Sequence, residues 1–465
     1  MNTFSEIEMK LRKRKTVGLC ILLLIAGALC GWIWSRWDVW FVNAEEQPYT
    51  ASPTPHRVLL TFGDKDELSR NISWQCDSVV HPSWIELACQ ADGDTTRIDA
   101  QGEVFRSRNG QAAYYVARLR HLQPDCKYSY RAVTNGKASA WYEFHTMEAD
   151  RDACAFLYVG DVQDTIGGLA NKYLREALEH HPESEFLVCG GDLTERPTNQ
   201  HWQETFRDID SVTQAMPLLT VTGNHDYLKG VVMKLERRFS LVFSYFLDSK
   251  VDDNQVYTVC YGPAQFFLLD SNREFPYLYS QRQWLDEQLR QSKARWKILV
   301  LHHPLWSIKG NNNLIQRWMF NDLAEKYGVD LVLQGHEHAY ARMTRHDDNG
   351  QATTPVYTVS HCSPKNYRIQ FDDRFDKFGI SSRYYQTVNI HADTLTLSAY
   401  EVYNGTLYDS LCIVKTNAGV QIKDYGSDIP EYLEYTPNPN KKKDRAYAER
   451  IADYKRCHPE RLRKP

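Results

Sequence analysis

Three kinds of hydrophobic pattern follow one another along the 465-residue chain. A single apolar stretch covers residues 16–34, and short alternating runs separated by Gly, Asp and Pro turns fill residues 57–146. After about residue 150, short apolar runs alternate with longer segments whose apolar residues recur every three or four positions. These patterns predict, in order, a membrane-spanning or signal segment, an all-β domain and a layered α/β domain.

The α/β region is predicted to place its loops and ligands at the carboxyl ends of its strands. The predicted strands are 156–159, 186–189, 218–221, 266–269, 297–301 and 331–333, and the predicted helices are 170–180, 279–291 and 314–327. Residues 355–414 return to strand-like runs that close this domain. The polar remainder is predicted to be a solvated tail with one helix near 445–455.

Changes in composition divide the chain into four parts. Residues 1–44 form a basic stub with an anchor or signal, 52–148 the all-β domain, 150–416 the α/β domain and 417–465 a charged tail. The polar, Pro-containing residues 45–55 are predicted to be a linker between membrane and body.

The N-terminal apolar segment is close to the roughly 20 residues that cross a bilayer. Basic residues from Lys10 to Lys15 precede it, so the positive-inside rule keeps the N-terminus in the cytoplasm and sends the body outward. Val42-Asn43-Ala44 resembles a cleavage site, but it lies far from the apolar core, which favours an uncleaved anchor. The body is therefore expected outside the cytoplasm, in the periplasm or at the cell surface, anchored to the inner membrane or secreted if cleaved.

Cysteine content and charge fit an exported globular protein. Of the 11 cysteines, Cys20 and Cys30 lie within the apolar stretch, and the nine beyond it cannot all pair within one chain. Cys189 lies inside an apolar run and is predicted to pack in the core, while the connectivity of the others stays open. A net charge of -4 and the lack of a basic, aromatic-rich stripe argue against nucleic acid as a partner.

Five short motifs, in order over residues 160–338, contain side chains that bind metals. They are Gly160-Asp161, Gly191-Asp192, Gly223-Asn224-His225-Asp226, His302-His303-Pro304 and Gly335-His336-Glu337-His338. Each is common by chance, but the ordered set is not, and each follows or adjoins a predicted strand. Together they supply carboxylates, a carboxamide and imidazoles, which suit a pair of divalent or trivalent metals acting on a phosphate ester.

The all-β domain resembles a fibronectin type III domain. The spacing Leu122-x-Pro124-x-x-x-Tyr128 matches the corner in which a tyrosine hydroxyl ties a turn to a strand. Trp74 lies where that family keeps a buried tryptophan.

The ordered motifs resemble those of the calcineurin-like metallophosphoesterases, and the fibronectin-like domain narrows the resemblance to purple acid phosphatases over residues 55 to about 415. It implies a layered β-sandwich flanked by helices that holds two metal ions, of iron, zinc or manganese. It also implies a metal-bound hydroxide as nucleophile, with His225 protonating the leaving oxygen and Asp226 orienting His225. The implied ligands are Asp161 and His338 for the first metal, Asp192 as the bridge, and Asn224, His302 and His336 for the second metal.

The sequence departs from this pattern at the first metal. Glu195 stands where purple acid phosphatases place a tyrosine, and Gln163 stands where other members place a histidine. We hypothesise that one of these two residues supplies the missing oxygen ligand. Loss of the tyrosinate predicts a protein without purple colour and with a weaker preference for ferric iron. His303 is a candidate for supporting the ligands or contacting substrate.

Other candidates and functions remain open at this point. His361 follows a predicted strand and could face the site, whereas Arg273, Tyr340 and Arg342 are expected in surface or packing roles. The expected function is hydrolysis of small phosphate monoesters by an exported enzyme that contacts the membrane through its N-terminal segment. A phosphodiesterase of the same fold and a binding or adhesion protein with a degraded first metal site are the alternatives.

Overall fold

The computed structural model describes residues 2–64, 67–90, 93–207, 209–245 and 255–462, with side chains from Lys15 onward except that of Asp210. Contacts within the chain divide it into two units. The first comprises Met1–Glu45 with Tyr227–Leu235, and the second comprises Glu46–Asp226 with Glu236–Pro465.

The elements before the α/β domain are two helices and nine short strands among the described residues. They are α1 Asn2–Ser35, α2 Trp37–Trp40, β1 His56–Phe62, β2 Arg70–Gln75, β3 Ser83–Cys89, β4 Thr95–Asp99, β5 Gln101–Arg106, β6 Gln111–Leu119, β7 Lys127–Thr134, β8 Lys137–Ala138 and β9 Tyr142–His145.

The elements that follow alternate between strands and helices before ending in a run of strands and one helix. They are β10 Ala153–Val159, α3 Ala170–His180, β11 Phe186–Cys189, α4 Asn199–Phe206, α5 Asp210–Thr213, β12 Leu218–Thr220, β13 Tyr227–Leu228, β14 Lys234–Leu235, α6 Arg237–Phe243, β15 Tyr257–Tyr261, β16 Ala264–Leu268, α7 Phe275–Gln291, β17 Trp296–Val300, α8 Leu314–Lys326, β18 Leu331–Gln334, β19 Tyr340–His346, β20 Ala352–Val359, β21 Lys377–Gly379, β22 Tyr384–His391, β23 Thr394–Glu401, β24 Leu407–Thr416, β25 Gly419–Asp424 and α9 Lys442–Cys457.

The first unit contains the apolar helix and a short hairpin. Lys15–Ser35 is long and apolar enough to cross a bilayer by length and composition. The hairpin pairs β13 with β14 in antiparallel register.

The N-terminal domain of the second unit is a sandwich of two antiparallel sheets. Trp74 lies in its core, 1% exposed, and the Tyr128 hydroxyl accepts a 2.7 Å hydrogen bond from the Gln123 backbone N–H, as the corner motif predicts. A disulfide joins Cys89 to Cys126. Cys189, in contrast, is a free thiol that is fully buried, which confirms its predicted packing role.

The α/β domain is a second sandwich, with helices on its outer faces. One of its sheets has the order β15-β16-β17-β18-β20-β19-β21, and the other contains the parallel strands β10, β11 and β12. The two sheets meet through aromatic side chains, since Phe266 lies 5.3 Å from Phe156 and 5.5 Å from Phe186 between ring centroids. The mixed α/β fold with a preceding β domain is therefore confirmed.

One sheet runs through both domains. Strand β1 of the N-terminal domain pairs in parallel with β12 at Thr61 and Leu218, and this joins eleven described strands in the order β25-β24-β23-β22-β10-β11-β12-β1-β2-β6-β5. The Tyr130 hydroxyl also donates a 2.7 Å hydrogen bond to the carbonyl of Gln214.

The C-terminal segment is part of the folded body, so the prediction of a solvated tail is wrong. Strand β25 extends the large sheet beyond residue 416, and helix α9 buries Tyr447, Ile451 and Tyr454 against the seven-stranded sheet. These three residues recur at three- and four-residue spacing, but the high charge of the surrounding sequence hides that apolar stripe.

The predicted linker is also ordered from Glu46 onward. Glu46 is buried and pairs with Arg238 at 2.7 Å, and it accepts a 2.8 Å hydrogen bond from the Asn199 N–H. Arg238 pairs in turn with Glu236 at 2.9 Å. This polar segment packs in the interior because the buried Arg238 neutralises the charge of Glu46. The pattern of the sequence does not reveal such a pairing.

Glu236→Gln is expected to stabilise the protein above pH 7 and to have little effect at pH 5. Burial raises the pKa of Glu236 to about 7, more than the attraction of Arg238 lowers it, while the unfolded chain keeps the ordinary value of 4.5. Between these values the folded protein binds more protons than the unfolded one, so stability falls as pH rises, by about 3 kcal/mol in full. Thermal unfolding at pH 5 and pH 8 measures the difference.

The exposed Glu103, which pairs with Arg237 at 2.8 Å, offers a matched control because Glu103→Gln is expected to change little at either pH. A lower melting temperature for Glu236→Gln at pH 8 would contradict the prediction.

Candidate metal centre

The five motifs meet because the strands that carry them end at the same place. Asp161, Asp192 and Asn224 follow β10, β11 and β12, which are parallel neighbours with Val159 opposite Cys189 and Cys189 opposite Thr220. In the facing sheet, His302 and His336 follow β17 and β18, which are also parallel neighbours. Five loops therefore converge at the carboxyl edges of the two sheets, as predicted.

The backbone is strained where these loops present their side chains. Asp161, Asp192, His336 and His338 have φ angles of +49°, +51°, +73° and +43°, a region that non-glycine residues rarely adopt. Such strain costs about 1–3 kcal/mol per residue and concentrates at functional sites.

Two of the motif glycines are required because carboxylate oxygens of the site lie too close to leave room for a side chain. A Cβ at Gly223 would lie 2.0 Å from Asp192 Oδ1, and one at Gly335 would lie 2.6 Å from Asp161 Oδ2. Any side chain at these positions would displace a carboxylate of the site.

One half of the site is built from Asp161, Gln163 and His338, all at most 1% exposed. His338 Nε2 lies 3.4 Å from Asp161 Oδ1 and 2.9 Å from Gln163 Nε2. His338 Nδ1–H donates to the carbonyl of Lys365 at 3.0 Å, which turns Nε2 toward the site. Asp161 Oδ1 and Gln163 Oε1 are buried without a hydrogen-bond partner.

The other half is built from Asn224, His302 and His336. Asn224 Oδ1 lies 3.1 Å from His302 Nε2 and 2.9 Å from His336 Nδ1, and the two nitrogens are 3.3 Å apart. His302 Nδ1–H donates to the carbonyl of Gly190 at 2.9 Å, so its Nε2 is the atom that faces the site.

Asp192 lies between the two halves. Its Oδ2 is 3.4 Å from His302 Nε2, its Oδ1 accepts from the His225 N–H at 2.7 Å, and ligand atoms of Asp161, Asp192 and His302 lie within 4.8 Å of one another. Burial favours the protonated acid, but the charges of His302 and His225 outweigh burial and hold the pKa of Asp192 well below its usual range. Burial alone would lower the pKa of His302, but its interactions with Asp192 outweigh burial and raise that pKa to about 9.

These groups have the chemistry of metal ligands. Two buried oxygens of one half lack hydrogen-bond partners, and a carboxamide oxygen and two imidazole nitrogens converge in the other. Buried polar atoms without partners are costly, and oxygen and nitrogen donors at these spacings relieve that cost by binding cations.

His225 lies beside the shared carboxylate. Its Nδ1–H donates to the carbonyl of Glu195 at 2.7 Å, and its Nε2 lies 4.0 Å from Asp192 Oδ2. Asp226 does not orient this ring in the structure, contrary to the sequence-based expectation. Its Oδ2 accepts from the Gly223 N–H at 2.8 Å and so stabilises the loop instead.

Gln163 and Glu195, the two candidates for the missing ligand, lie in different surroundings. Gln163 lies within the first half-site, whereas the carboxylate of Glu195 accepts from Lys365 Nζ at 2.7 and 2.8 Å and lies 3.4 Å from Arg196. Glu195 is thus turned to the rim of the site.

His303 packs behind the ligands. Its ring lies 4.2 Å from that of His336, and its Nδ1 is 3.0 Å from Ser271 Oγ. Burial lowers the pKa of His303 to about 3, so the ring is neutral and supports His336. His361 is also buried, and its ring lies 5.5 Å from that of His338.

Sequence reasoning missed several residues around His338, most of them in the loop 361–376. Tyr367 stacks on His338 at 4.2 Å, Lys309 Nζ lies 4.4 Å from the Tyr367 ring, and Lys365 contributes the contacts described above. Lys365 and Tyr367 lie more than 25 positions after the last motif and Lys309 lies five positions after Pro304, but no regular spacing marks any of them. Arg196, whose Nη1 is 3.2 Å from His225 Nδ1, could have been suggested by its position beside Glu195.

Comparison with known families agrees with the geometry. Residues 155–340 match the calcineurin-like phosphoesterase family, and residues 55–146 match the purple acid phosphatase N-terminal domain. The first range includes every ligand candidate from Asp161 to His338.

Curated relatives include phosphatases from plants. The chain is 24% identical over 314 residues to a phosphoenolpyruvate phosphatase from Allium cepa, which covers 63% of each chain. It is 21% identical over 311 residues to the Fe(3+)-Zn(2+) purple acid phosphatase 12 of Arabidopsis thaliana, which covers 63% of this chain and 66% of the relative. The chain thus spans just under two thirds of these relatives' length.

Solved structures show the same fold. A purple acid phosphatase from yellow lupin seeds superposes with a TM-score of 0.65 at 16% identity, covering 79% of this chain and 75% of the other. A PhoD structure superposes with a TM-score of 0.59 at 14% identity, covering 89% of this chain and 100% of the other.

Proposed function

Because the chain belongs to the calcineurin-like phosphoesterases and carries the N-terminal domain of the purple acid phosphatases, we propose that it is a metal-dependent hydrolase of phosphate monoesters. The observation that carries the proposal is that Asp192 lies 3.4 Å from His302 and that ligand atoms of Asp161, Asp192 and His302 lie within 4.8 Å of one another. A degraded binding protein would have little reason to keep both sets of metal donors, each with strained backbone and buried carboxylates.

Two metal ions, when bound, would neutralise the phosphate oxygens and lower the pKa of a water molecule. The described donors suit iron, zinc or manganese. The residues that would hold the first ion are Asp161, Gln163, Asp192 and His338, and those that would hold the second are Asp192, Asn224, His302 and His336.

His225 would protonate the leaving alcohol oxygen through Nε2. Its Nδ1–H is fixed by the Glu195 carbonyl, so the opposite edge of the ring is presented beside Asp192. A general acid must stand within hydrogen-bond reach of the oxygen that departs, and His225 is the imidazole placed next to the shared carboxylate without belonging to either donor set.

Cations at the rim support a monoester over a diester. Arg196 lies beside His225, and Lys309 lies over Tyr367, which itself stacks on His338. Such charges would stabilise the second negative charge that distinguishes a monoester dianion from a diester.

We also propose that the N-terminal segment stays uncleaved as a membrane anchor and that the body of the protein lies outside the cytoplasm. Lys15–Ser35 is suited to cross a membrane, basic residues precede it, and the Cys89–Cys126 disulfide suits an oxidising compartment.

The test uses the full chain in lipid nanodiscs, loaded in turn with manganese, zinc and iron. Initial rates are compared on p-nitrophenyl phosphate and bis(p-nitrophenyl) phosphate. Faster turnover of the monoester supports the proposal, whereas faster turnover of the diester reassigns the protein as a phosphodiesterase. Retention of two metals without turnover of either ester favours the binding-protein alternative.

Gln163→Ala is expected to reduce metal content from about two ions per chain to about one, because it removes one of the four proposed donors of the first half-site. Glu195→Ala is the matched control and is expected to keep both ions, since its carboxylate pairs with Lys365. Elemental analysis after dialysis measures both, and binding of the first ion should weaken by at least about tenfold in Gln163→Ala. Loss of metal from Glu195→Ala alone would reverse the assignment.

A further inference from the structure

The hairpin of the first unit exposes an apolar tip. Strand β13 begins at the residue after Asp226, and residues 229–233 connect it to β14. Val231 is 95% exposed, Val232 56% and Met233 38%. Three consecutive exposed apolar residues are unfavourable in water and usually mark a surface that meets an apolar partner.

The hairpin is tied to the chain that follows the apolar helix. The Asn43 side chain donates to the Lys229 carbonyl at 3.1 Å and accepts from the Lys229 N–H at 2.8 Å. Lys229 Nζ also donates to the carbonyl of Asp38 at 3.2 Å. Lys229, the residue before the tip, is therefore held beside Asp38 and Asn43, which lie three and eight positions after Ser35, the last residue of the helix.

The same part of the first unit has the composition of a membrane interface. Trp32 packs on Trp40 at 4.8 Å and Trp37 packs on Phe41 at 4.6 Å, while the basic cluster lies at the opposite end of the helix. Tryptophans gather where the hydrocarbon core meets the headgroups, and basic clusters stay on the cytoplasmic side. Asn43, and with it the hairpin, thus belongs at the outer face of the membrane.

We propose that the tip Gly230–Met233 inserts into the outer face of the bilayer that holds helix α1, and that the substrate is a phosphate monoester carried by a lipid in that bilayer. This substrate assignment rests on the proposed hydrolysis of monoesters. Lys229 and Lys234 flank the tip and suit anionic headgroups.

The length of the connecting chain limits how far His225 can lie from the inserted tip. His225 and Val231 are six positions apart in the sequence, and six residues span at most about 22 Å. That limit is compatible with action on a headgroup phosphate at the surface of the same bilayer, whereas a soluble ester has no need of the tip.

Insertion is tested by photolabelling the full chain in vesicles of phosphatidylcholine and phosphatidate that contain a diazirine-bearing phosphatidylcholine. Trypsin releases Gly230–Lys234, and mass spectrometry is expected to find label on it and on the apolar helix. The peptide containing Val79 and Val80, which are exposed valines of the N-terminal domain, is expected to carry none. Label on the helix but not on Gly230–Lys234 would overturn the proposal.

Substrate choice is tested with the double variant Val231→Asp/Val232→Asp in the same vesicles. Turnover of phosphatidate is expected to fall at least about tenfold, while turnover of p-nitrophenyl phosphate stays unchanged. Val79→Asp/Val80→Asp adds the same charges elsewhere, at positions 47% exposed, and is expected to change neither rate.

The outcomes separate this inference from the proposed function. Equal rates of phosphatidate turnover in wild type and hairpin variant would overturn the lipid-substrate assignment. A metal-loaded wild type that hydrolyses neither ester would overturn the proposed function, and the photolabel would still decide whether the tip inserts.

Discussion

Asp192→Asn is expected to lower turnover of a phosphate monoester by about a thousandfold or more and to reduce the bound metal to one ion or fewer per chain. Asparagine keeps the shape of the side chain and can still accept from the His225 N–H, but it loses the negative charge that lies between the two donor sets. A thousandfold loss corresponds to about 4 kcal/mol of transition-state stabilisation. Initial rates on p-nitrophenyl phosphate and elemental analysis measure the two effects.

The matched control is Glu195→Gln, which neutralises another acid of the same loop. Glu195 pairs with Lys365 at the rim, so turnover is expected to remain within about tenfold of wild type. A melting temperature for Asp192→Asn close to that of wild type without metal would show that the fold survives. Two retained ions and near-normal turnover in Asp192→Asn would contradict the shared role of this residue.

Arg342→Met is expected to destabilise the protein by about 3–5 kcal/mol, because it leaves buried carboxylates without their cation. Arg342 is 1% exposed and lies 2.7 Å from Asp409, 2.9 Å from Asp424 and 3.1 Å from Asp376. The Tyr340 hydroxyl also donates to Asp409 at 2.7 Å, which confirms the packing role expected for both Tyr340 and Arg342. Denaturant unfolding of wild type and variant measures the loss.

The loss is expected to shrink as the pH falls. Burial raises the pKa of Asp409, but the charge of Arg342 outweighs burial and holds it below its ordinary value. The stability from this carboxylate is therefore present above its ordinary pKa and disappears as pH falls through the lower folded value. Without Arg342, burial dominates and the carboxyl protonates at higher pH, so wild type and variant should converge in acid.

Arg345→Met provides the comparison, since Arg345 is partly exposed and pairs with Glu325 at 3.0 Å. Its expected cost is at most about 1 kcal/mol. Equal destabilisation by the two substitutions would show that the buried cluster has no special role.

The sequence predicts well which candidate residues meet, because their meeting depends on local rules. Short apolar runs mark the strands, and the residues directly after parallel strands must meet at one edge. Asp161, Asp192, Asn224, His302 and His336 all follow this rule. The sequence does not predict which of Gln163 and Glu195 lies in the first half-site. This depends on Lys365, which lies 170 positions from Glu195 and binds its carboxylate.

Other errors have the same origin in long-range contacts. His225 is held by a backbone carbonyl, which every residue possesses, so no residue type could indicate it. Helix α9 and the segment after Glu46 read as solvated because they are polar, yet each finds a partner surface far away in sequence. Patterns along the chain report which face is apolar, but they do not report which buried charge will be neutralised.

Because the two domains share one sheet, the N-terminal domain completes the structure of the α/β domain. Strand β1 covers the side of β12 that would otherwise expose unpaired backbone groups, a surface that promotes aggregation. Excision of residues 52–148 would uncover that side next to the loop carrying Asn224 and His225. The two domains are therefore expected to fold as one cooperative unit. They are also expected to evolve together, since recombination could not exchange either one freely.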